Sequence, residues 1–210
     1  MELKGFYNMD CMEGMEQIPD KYFELAIVDP PYGLGNRTSQ GGCDKNTQVK
    51  FKKTMNEKKW DNETPTVEYW NELFRVSRNQ IVWGGNYFGL PANRTFIVWD
   101  KMTYVPTMSQ VEMAWTSFDT PARLIQINSN NPSRFHPTQK PVALYKWLLK
   151  NYAKEGDKIL DTHVGSASSL IACYDMGFEY LGFELDKDYY DLATKRLEKH
   201  MSQMNLFLDF

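Results

Sequence analysis

Lys158-Ile159-Leu160-Asp161-Thr162-His163-Val164-Gly165-Ser166-Ala167 joins a short apolar run to an acid and then to a turn of small residues. An apolar run of that length, stopping at such a turn, suits a buried strand feeding a helix, which the pattern predicts over Ser168–Met176. Tyr180–Phe183 predicts a second strand ending at Glu184, and a helix capped by Asp186 carries Tyr190, Ala193, Leu197 and Met201 on one face. Strand and helix alternating in this way imply a parallel sheet with right-handed crossovers, an α/β fold.

In open α/β sheets, ligands sit beyond the carboxyl ends of the strands, where a glycine in the first turn lets backbone approach closely. An acid about twenty residues later, at the end of the second strand, commonly takes ribose hydroxyls. Glu184 follows Asp161 by 23 residues, which suits a nucleoside-bearing cofactor. The turn lacks the full dinucleotide glycine pattern, so a pyrophosphate cofactor is disfavoured. A tight turn without any ligand has a similar pattern.

Outward from there, Ala26-Ile27-Val28-Asp29-Pro30-Pro31-Tyr32-Gly33 is a buried strand that stops at an acid, two prolines, an aromatic and a glycine. Proline has no backbone N–H and an ionised carboxylate only accepts, so the loop offers acceptors alone. Such a loop receives an amine: its two N–H groups fit Asp29 and a proline carbonyl, and Tyr32 supplies a flat ring for stacking. The plainer alternative is a turn after a core strand.

The remaining chain supplies further strands and helices. Leu3–Asn8 predicts a strand, and Asp10 a short helix through Met12, Met15 and Ile18. Thr64 as cap and Pro65 at the first position start a helix with Val67, Trp70, Leu73 and Phe74 on one face. Gln80–Trp83 and Thr95–Trp99 read as buried strands, and Val111–Trp115 with Arg123–Ile127 as a hairpin. Val142 opens a helix with Tyr145, Leu148, Leu149 and Tyr152 on its core face.

The chain has 210 residues, enough for one domain with an ample core, and a formal net charge of -3. That total hides a segregation. Residues 33–60 carry Arg37, Lys45, Lys50, Lys52, Lys53, Lys58 and Lys59 against Asp44 and Glu57, and residues 120–150 carry Arg123, Arg134, Lys140, Lys146 and Lys150 with no acid. Each segment is therefore net +5, on an acidic body. A polyanion held at one face fits this pattern, as do two solvated loops. Cys11, Cys43 and Cys173 are far apart, which suggests neither a disulfide framework nor a zinc site. With no signal peptide and no membrane-length apolar run in view, no membrane association is expected and a reducing cytoplasm is the expected setting.

Together, the Asp29–Tyr32 strand end and the segment His136-Pro137-Thr138-Gln139-Lys140-Pro141, leading into the glycine-turn unit, resemble the amino-group DNA methyltransferases of the β, circularly permuted, class. The similarity covers most of the chain and is best over Leu3–Tyr32 and Phe135–Lys199. It implies a Rossmann-like S-adenosylmethionine methyltransferase fold: a mixed, mostly parallel sheet with helices on both faces, circularly permuted. One domain spans residues 1–210, with 33–62 a mobile basic loop and 201–210 a C-terminal tail.

The resemblance also implies residue roles. Asp29, Pro30, Pro31 and Tyr32 match the catalytic motif. Asp161, His163, Gly165, Ser166, Ala167 and Ser168 fall on the cofactor loop, Glu184 on the ribose-binding acid, and Asp10 on the acid near the cofactor adenine. Thr138 and Lys140 match the stretch passing the methionine end, which Asp29 also borders. Asp10 as a helix cap and Lys140 as a solvated charge are the plainer alternatives. DNA would lie along Arg37, Lys45, Lys50, Lys52, Lys53, Lys58, Lys59, Arg123 and Arg134. No metal is implied.

Two departures stand out: Thr162-His163 where the family has Pro-Phe, and Ala167 in place of the last glycine of Gly-Ser-Gly. His163 reads as a wall replacing the aromatic, or as an ordinary loop histidine. In this family an acid at position 29 is more often associated with adenine and serine with cytosine, so adenine is the expected base. Cytosine's 4-amino group and a catalytically weak DNA-binding subunit are the rival readings.

Beyond the last predicted helix, Gln203-Met204-Asn205-Leu206-Phe207 resembles the short peptides that dock replication proteins into a sliding clamp, with Gln203, Leu206 and Phe207 as anchors. A tail folded onto its own core or onto a dimer partner is the alternative, a homodimer being implied by family habit alone.

Overall fold

The computed structural model describes residues 1–34, 63–104, 109–129 and 134–208, the last five of these by backbone alone. In chain order the elements are β1 (Gly5–Tyr7), α1 (Cys11–Met15), β2 (Phe23–Val28), α2 (Val67–Val76), β3 (Ser77–Trp83), β4 (Phe96–Asp100), β5 (Val111–Thr116), β6 (Arg123–Gln126), α3 (Val142–Tyr152), β7 (Lys158–Asp161), α4 (Ser168–Met176), β8 (Glu179–Phe183) and α5 (Lys187–Leu208). A 3₁₀ turn, Gly85–Tyr87, follows β3.

All eight strands join one sheet in the order β1-β8-β7-β2-β3-β5-β4-β6. β5 runs antiparallel to both β3 and β4, and every other pairing is parallel. Successive side chains of β2 leave the sheet on opposite faces. Leu25 and Ile27 enter the cluster with Leu144, Leu148 and Cys173 of α3 and α4, whereas Ala26 and Val28 enter the one with Met15, Leu73 and Val76 of α1 and α2. Helices thus cover both faces, as the mostly parallel α/β class requires. A third cluster, with Ala167, Leu170, Ala193 and Leu197, packs α5 on α4. Burying each large side chain contributes roughly 1.5–3 kcal/mol.

Several boundaries differ from expectation. α2 begins two residues late, with Thr66 as its extended cap residue, so its core face is Tyr69, Leu73 and Val76 while Val67 is exposed. β5 and β6 do not form a hairpin: β6 pairs parallel with β4, and the antiparallel partners of β5 are β3 and β4. The sheet places β4 between the two strands, so the chain after β5 must cross over rather than reverse directly.

α5 does not stop near Met201; it runs to Leu208, because neither glycine nor proline interrupts the sequence after Asp186. Gln203, Leu206 and Phe207 are therefore in helical backbone rather than beyond the helix. Among the described residues, no helix is long and apolar enough to cross a membrane.

Candidate active site

Parallel strands β1, β8, β7, β2 and β3 all end on one edge of the sheet, and each end carries a residue singled out by the sequence or a glycine that approaches one. Asp10 follows β1, Glu184 follows β8, Asp161 closes β7, Asp29 follows β2 and Gly84-Gly85 follow β3.

The acceptor-rich loop is fixed at every corner. Tyr32 donates its hydroxyl to Asp29 Oδ1 at 2.6 Å, and Lys140 Nζ lies 2.6 Å from Asp29 Oδ2. The Tyr32 ring stacks on Tyr87 with centroids 5.0 Å apart. Gly84 stands against the same ring; a Cβ there would lie 2.3 Å from Tyr32 Cε1, and φ is +69°, so only glycine fits. Gly33 (φ +70°) turns the chain away, and the place its Cβ would take is 3.0 Å from Cγ2 of Thr64.

Lys140 is 3% exposed and touches two carboxylates, Asp29 and Glu112 Oε2 at 3.1 Å; Glu112 in turn pairs with Lys101 at 2.7 Å. Burial pushes the Asp29 carboxyl up, against the pull of Lys140. Burial also opposes ionisation of Glu112, but Lys140 and Lys101 outweigh it and hold the carboxyl down to about 2. For Lys140 the two carboxylates outweigh burial and keep the ammonium charged.

In the adjoining turn, Asp161 accepts from the backbone N–H of His163 at 3.0 Å and from the Ser169 hydroxyl. Burial raises Asp161 to about 7, with Asp29 and Glu184 adding to the rise and the two donors opposing it. Glu184 accepts from the N–H of Gly165 at 2.8 Å and of Asp186 at 2.9 Å, tying the turn to the end of β8. Gly165 (φ +54°) passes close to His136, whose Cε1 would be 3.2 Å from a Cβ.

A family model described as a DNA methylase, covering N6 and N4 methyltransferases, matches residues 82–195. The chain belongs to this family.

Relatives of this DNA methylase include the protein YubD of Escherichia coli (strain K12), 28% identical over 93% of this chain and 90% of that protein. Type II methyltransferase M2.DpnII of Streptococcus pneumoniae is also 28% identical, over 70% of this chain, which spans about half (52%) of that enzyme. Two solved structures share the fold: PvuII DNA methyltransferase (cytosine-N4-specific), TM-score 0.64 at 16% identity over 98% of this chain and 92% of that one, and the M1.HpyAVI complex with S-adenosylmethionine, TM-score 0.58 at 18% identity over 91% and 98%.

S-adenosylmethionine is the family's cofactor, and the turn fits it. Gly165 keeps the backbone low at the end of β7, and the Glu184 carboxylate at the end of β8 holds its N–H. Ala167, which stands where the family has a glycine, has φ +61°, and its methyl is sealed in the cluster between α4 and α5. Only its backbone can border a ligand.

Burial lowers His163 to about 4, so the ring is neutral; its Nδ1 is 2.9 Å from the Thr162 hydroxyl and its edge meets Tyr69. Ser166 and Ser168 share a hydroxyl contact at 3.1 Å. Thr138 does not point at the turn but to His136 Nδ1, at 3.2 Å. Asp10 caps α1 through the N–H of Met12 at 2.8 Å.

The second basic segment is less free than its composition suggests. Lys140 is buried in the site, Lys146 pairs with Asp175 at 2.7 Å, and Arg134 donates to the Gln139 carbonyl at 2.9 Å, bracing the segment that carries Lys140. Arg123 lies at the surface, 2.6 Å from Asn151 Oδ1. Arg37, Lys45, Lys50, Lys52, Lys53, Lys58 and Lys59 lie outside the described residues, as do the side chains of Leu206 and Phe207.

Sequence reasoning missed Lys101, Glu112, Tyr69, Tyr87, His136 and Arg196. The last donates to the Ser166 carbonyl and to Ser168 Oγ at 2.9 Å, holding the cofactor turn from α5. Only His136 carried a signal, its place in the His-Pro-Thr-Gln-Lys-Pro segment. Among the described residues, no group of three or more His, Cys, Asp or Glu could hold a metal ion.

Proposed function

We propose that this DNA methylase transfers a methyl group to the exocyclic 6-amino group of adenine, after the base has been flipped out of the duplex at a cost of about a few kcal/mol. The observation that carries the reading is Asp29 at the carboxyl end of β2, one strand from the Asp161 turn, with each oxygen engaged once and so retaining acceptor capacity. An aromatic amine is a poor nucleophile because its lone pair is delocalised into the ring. Asp29 and the Pro30 carbonyl accept its two N–H groups and draw the nitrogen toward a tetrahedral form, while Pro31 shapes the loop and Tyr32 stacks on the base. Bound S-adenosylmethionine supplies an electrophilic methyl on a positively charged sulfur. As the nitrogen acquires positive charge, an acceptor-only loop stabilises it, and Asp29 or water takes the departing proton.

On this reading Glu184 holds the ribose hydroxyls and Asp10 the adenine end. Asp161, His163 and the backbone of Gly165–Ser168 border the rest of the cofactor, and Thr138 acts by orienting His136. DNA is engaged by the basic residues of 37–59 together with Arg123. Clamp docking by Gln203, Leu206 and Phe207 requires the end of α5 to unwind; a Leu206→Ala/Phe207→Ala variant that still binds the clamp refutes it.

Mass analysis of nucleosides from DNA treated with the protein and S-adenosylmethionine tests the reaction. N6-methyladenine is expected, and N4-methylcytosine moves the assignment to the other base of the family. Full activity in Asp29→Ala overturns the catalytic reading.

A further inference from the structure

We infer that Glu112 and Lys101 are positioning residues for methyl transfer, sharing Lys140 between two carboxylates and so setting how well Asp29 receives the amine. The inference rests on the reading of Asp29 as amine acceptor. Neither residue falls in a motif that carries the family resemblance.

The geometry is a row of alternating charges: Lys101 Nζ is 2.7 Å from Glu112 Oε1, Glu112 Oε2 is 3.1 Å from Lys140 Nζ, and Lys140 Nζ is 2.6 Å from Asp29 Oδ2. Strand pairing builds it. Glu112 on β5 lies opposite Trp99 of β4, and the backbone N–H of Lys101 bonds to the Gln110 carbonyl, which sets the two side chains beside each other. Trp83 and Tyr32 present their rings to Lys140 at 5.2 Å and 6.0 Å, closing off solvent. Two ammonium groups and two carboxylates leave the row neutral, which is how such charges survive burial.

Each link affects the next. With Asp29 as its only partner, Lys140 would lie wholly on that carboxylate, compete with the amine for its oxygens and cancel the negative charge that the nitrogen needs as it becomes positive. Glu112 draws Lys140 part of the way back and cancels its field. Lys101 keeps Glu112 from doing so too strongly. The other groups facing Asp29 are Tyr32 on its own loop, Tyr145 on α3 and Asp161 at the end of β7.

Opposite signs follow for the two ends of the row. The Glu112 charge disfavours ionised Asp29, so Glu112→Gln lets Asp29 ionise at lower pH. Lys101→Met leaves the Glu112 charge unshielded and holds the proton on Asp29 to higher pH. The experiment is the kcat–pH profile of DNA methylation by both variants, with the S-adenosylmethionine Kd as a check on the cofactor turn.

Expected are a fall in kcat of about 10- to 100-fold for Glu112→Gln with Kd changed less than about twofold, an acid limb moved down in that variant, and an acid limb moved up in Lys101→Met. A merely structural role would lower activity without displacing the limbs in opposite directions. Limbs that stay in place, or move together, overturn the inference. Should Glu112→Gln fail to fold, the upward shift in Lys101→Met decides alone. A fully active Asp29→Ala variant refutes the underlying catalytic reading instead; an inactive one beside unshifted limbs refutes only the role of Glu112 and Lys101.

Discussion

The rings of Tyr32 and Tyr87 stack with centroids 5.0 Å apart and planes 20° from parallel. A base between two rings needs about 7 Å, two stacking intervals of about 3.5 Å. Tyr32 therefore cannot share its Tyr87-facing side with a flipped base unless Tyr87 leaves, and Gly84 backs the ring closely.

Removing Tyr87, which is 45% exposed, should thus ease entry of the base. For Tyr87→Ala we expect the KM for DNA to fall by about fivefold, the equivalent of about 1 kcal/mol of stacking that no longer has to be broken, with kcat little changed. Steady-state kinetics check this; a raised KM would mean that Tyr87 helps to hold the base.

The two glycines after β3 should separate activity from stability. Gly84→Ala drives a methyl into the Tyr32 ring at positive φ and should lower kcat about 100-fold while costing about 1–2 kcal/mol. Gly85→Ala meets Trp115 Cβ at 2.3 Å and its backbone N at 2.9 Å, and should cost about 3 kcal/mol or more. Denaturant titration alongside kcat distinguishes the two.

Asp161 sets a conflict between stability and binding. Its folded pKa of about 7 exceeds the unfolded value, so the native state binds the extra proton and its stability falls as pH rises from about 4 through 7. Asp161→Asn should accordingly stabilise the cofactor-free protein by roughly 2–4 kcal/mol at pH 8 and by almost nothing near pH 4. Because a cationic cofactor favours the ionised acid, the S-adenosylmethionine Kd of the parent should rise as pH falls below about 7, and Asp161→Asn should bind at least about tenfold more weakly without that pH dependence. Thermal melts and calorimetry across pH read both.

His163 works in the opposite direction. Its folded pKa of about 4 lies below the unfolded value, so the stability it allows is present above about 6.5 and is lost as pH falls toward 4. His163→Phe, which restores the aromatic of the family, should remove about 2 kcal/mol of that acid-induced loss and keep cofactor binding. Unchanged acid sensitivity in the variant refutes this.

How much of this was readable beforehand follows from which contacts are local. The Lys158–Glu184 unit and the Asp29–Tyr32 loop were legible because apolar periodicity, an acid and a turn all fall within a few residues of one another. α2 was shifted because Thr64, Thr66 and Pro65 all suit a helix start, and only tertiary packing of Tyr69 against Thr162 (2.7 Å) selects among them. Lys140 read as a surface or cofactor charge because its two carboxylate partners lie 111 and 28 positions back along the chain, on β2 and β5. The basic block at 120–150 was overestimated for the same reason: Asp29, Glu112 and Asp175, which neutralise part of it, come from other segments.

Gly33 meets Thr64 beside the catalytic loop, so the chain before residue 35 and the chain after residue 62 lie together there. Each side has its own anchor in the fold, Tyr32 through Asp29 and Gly84, and α2 through the core. On the proposed reading, changes between Leu34 and Glu63 are therefore expected to alter which DNA is methylated at little cost to the stability of the sheet, a separation of target choice from chemistry that the frame on either side makes available.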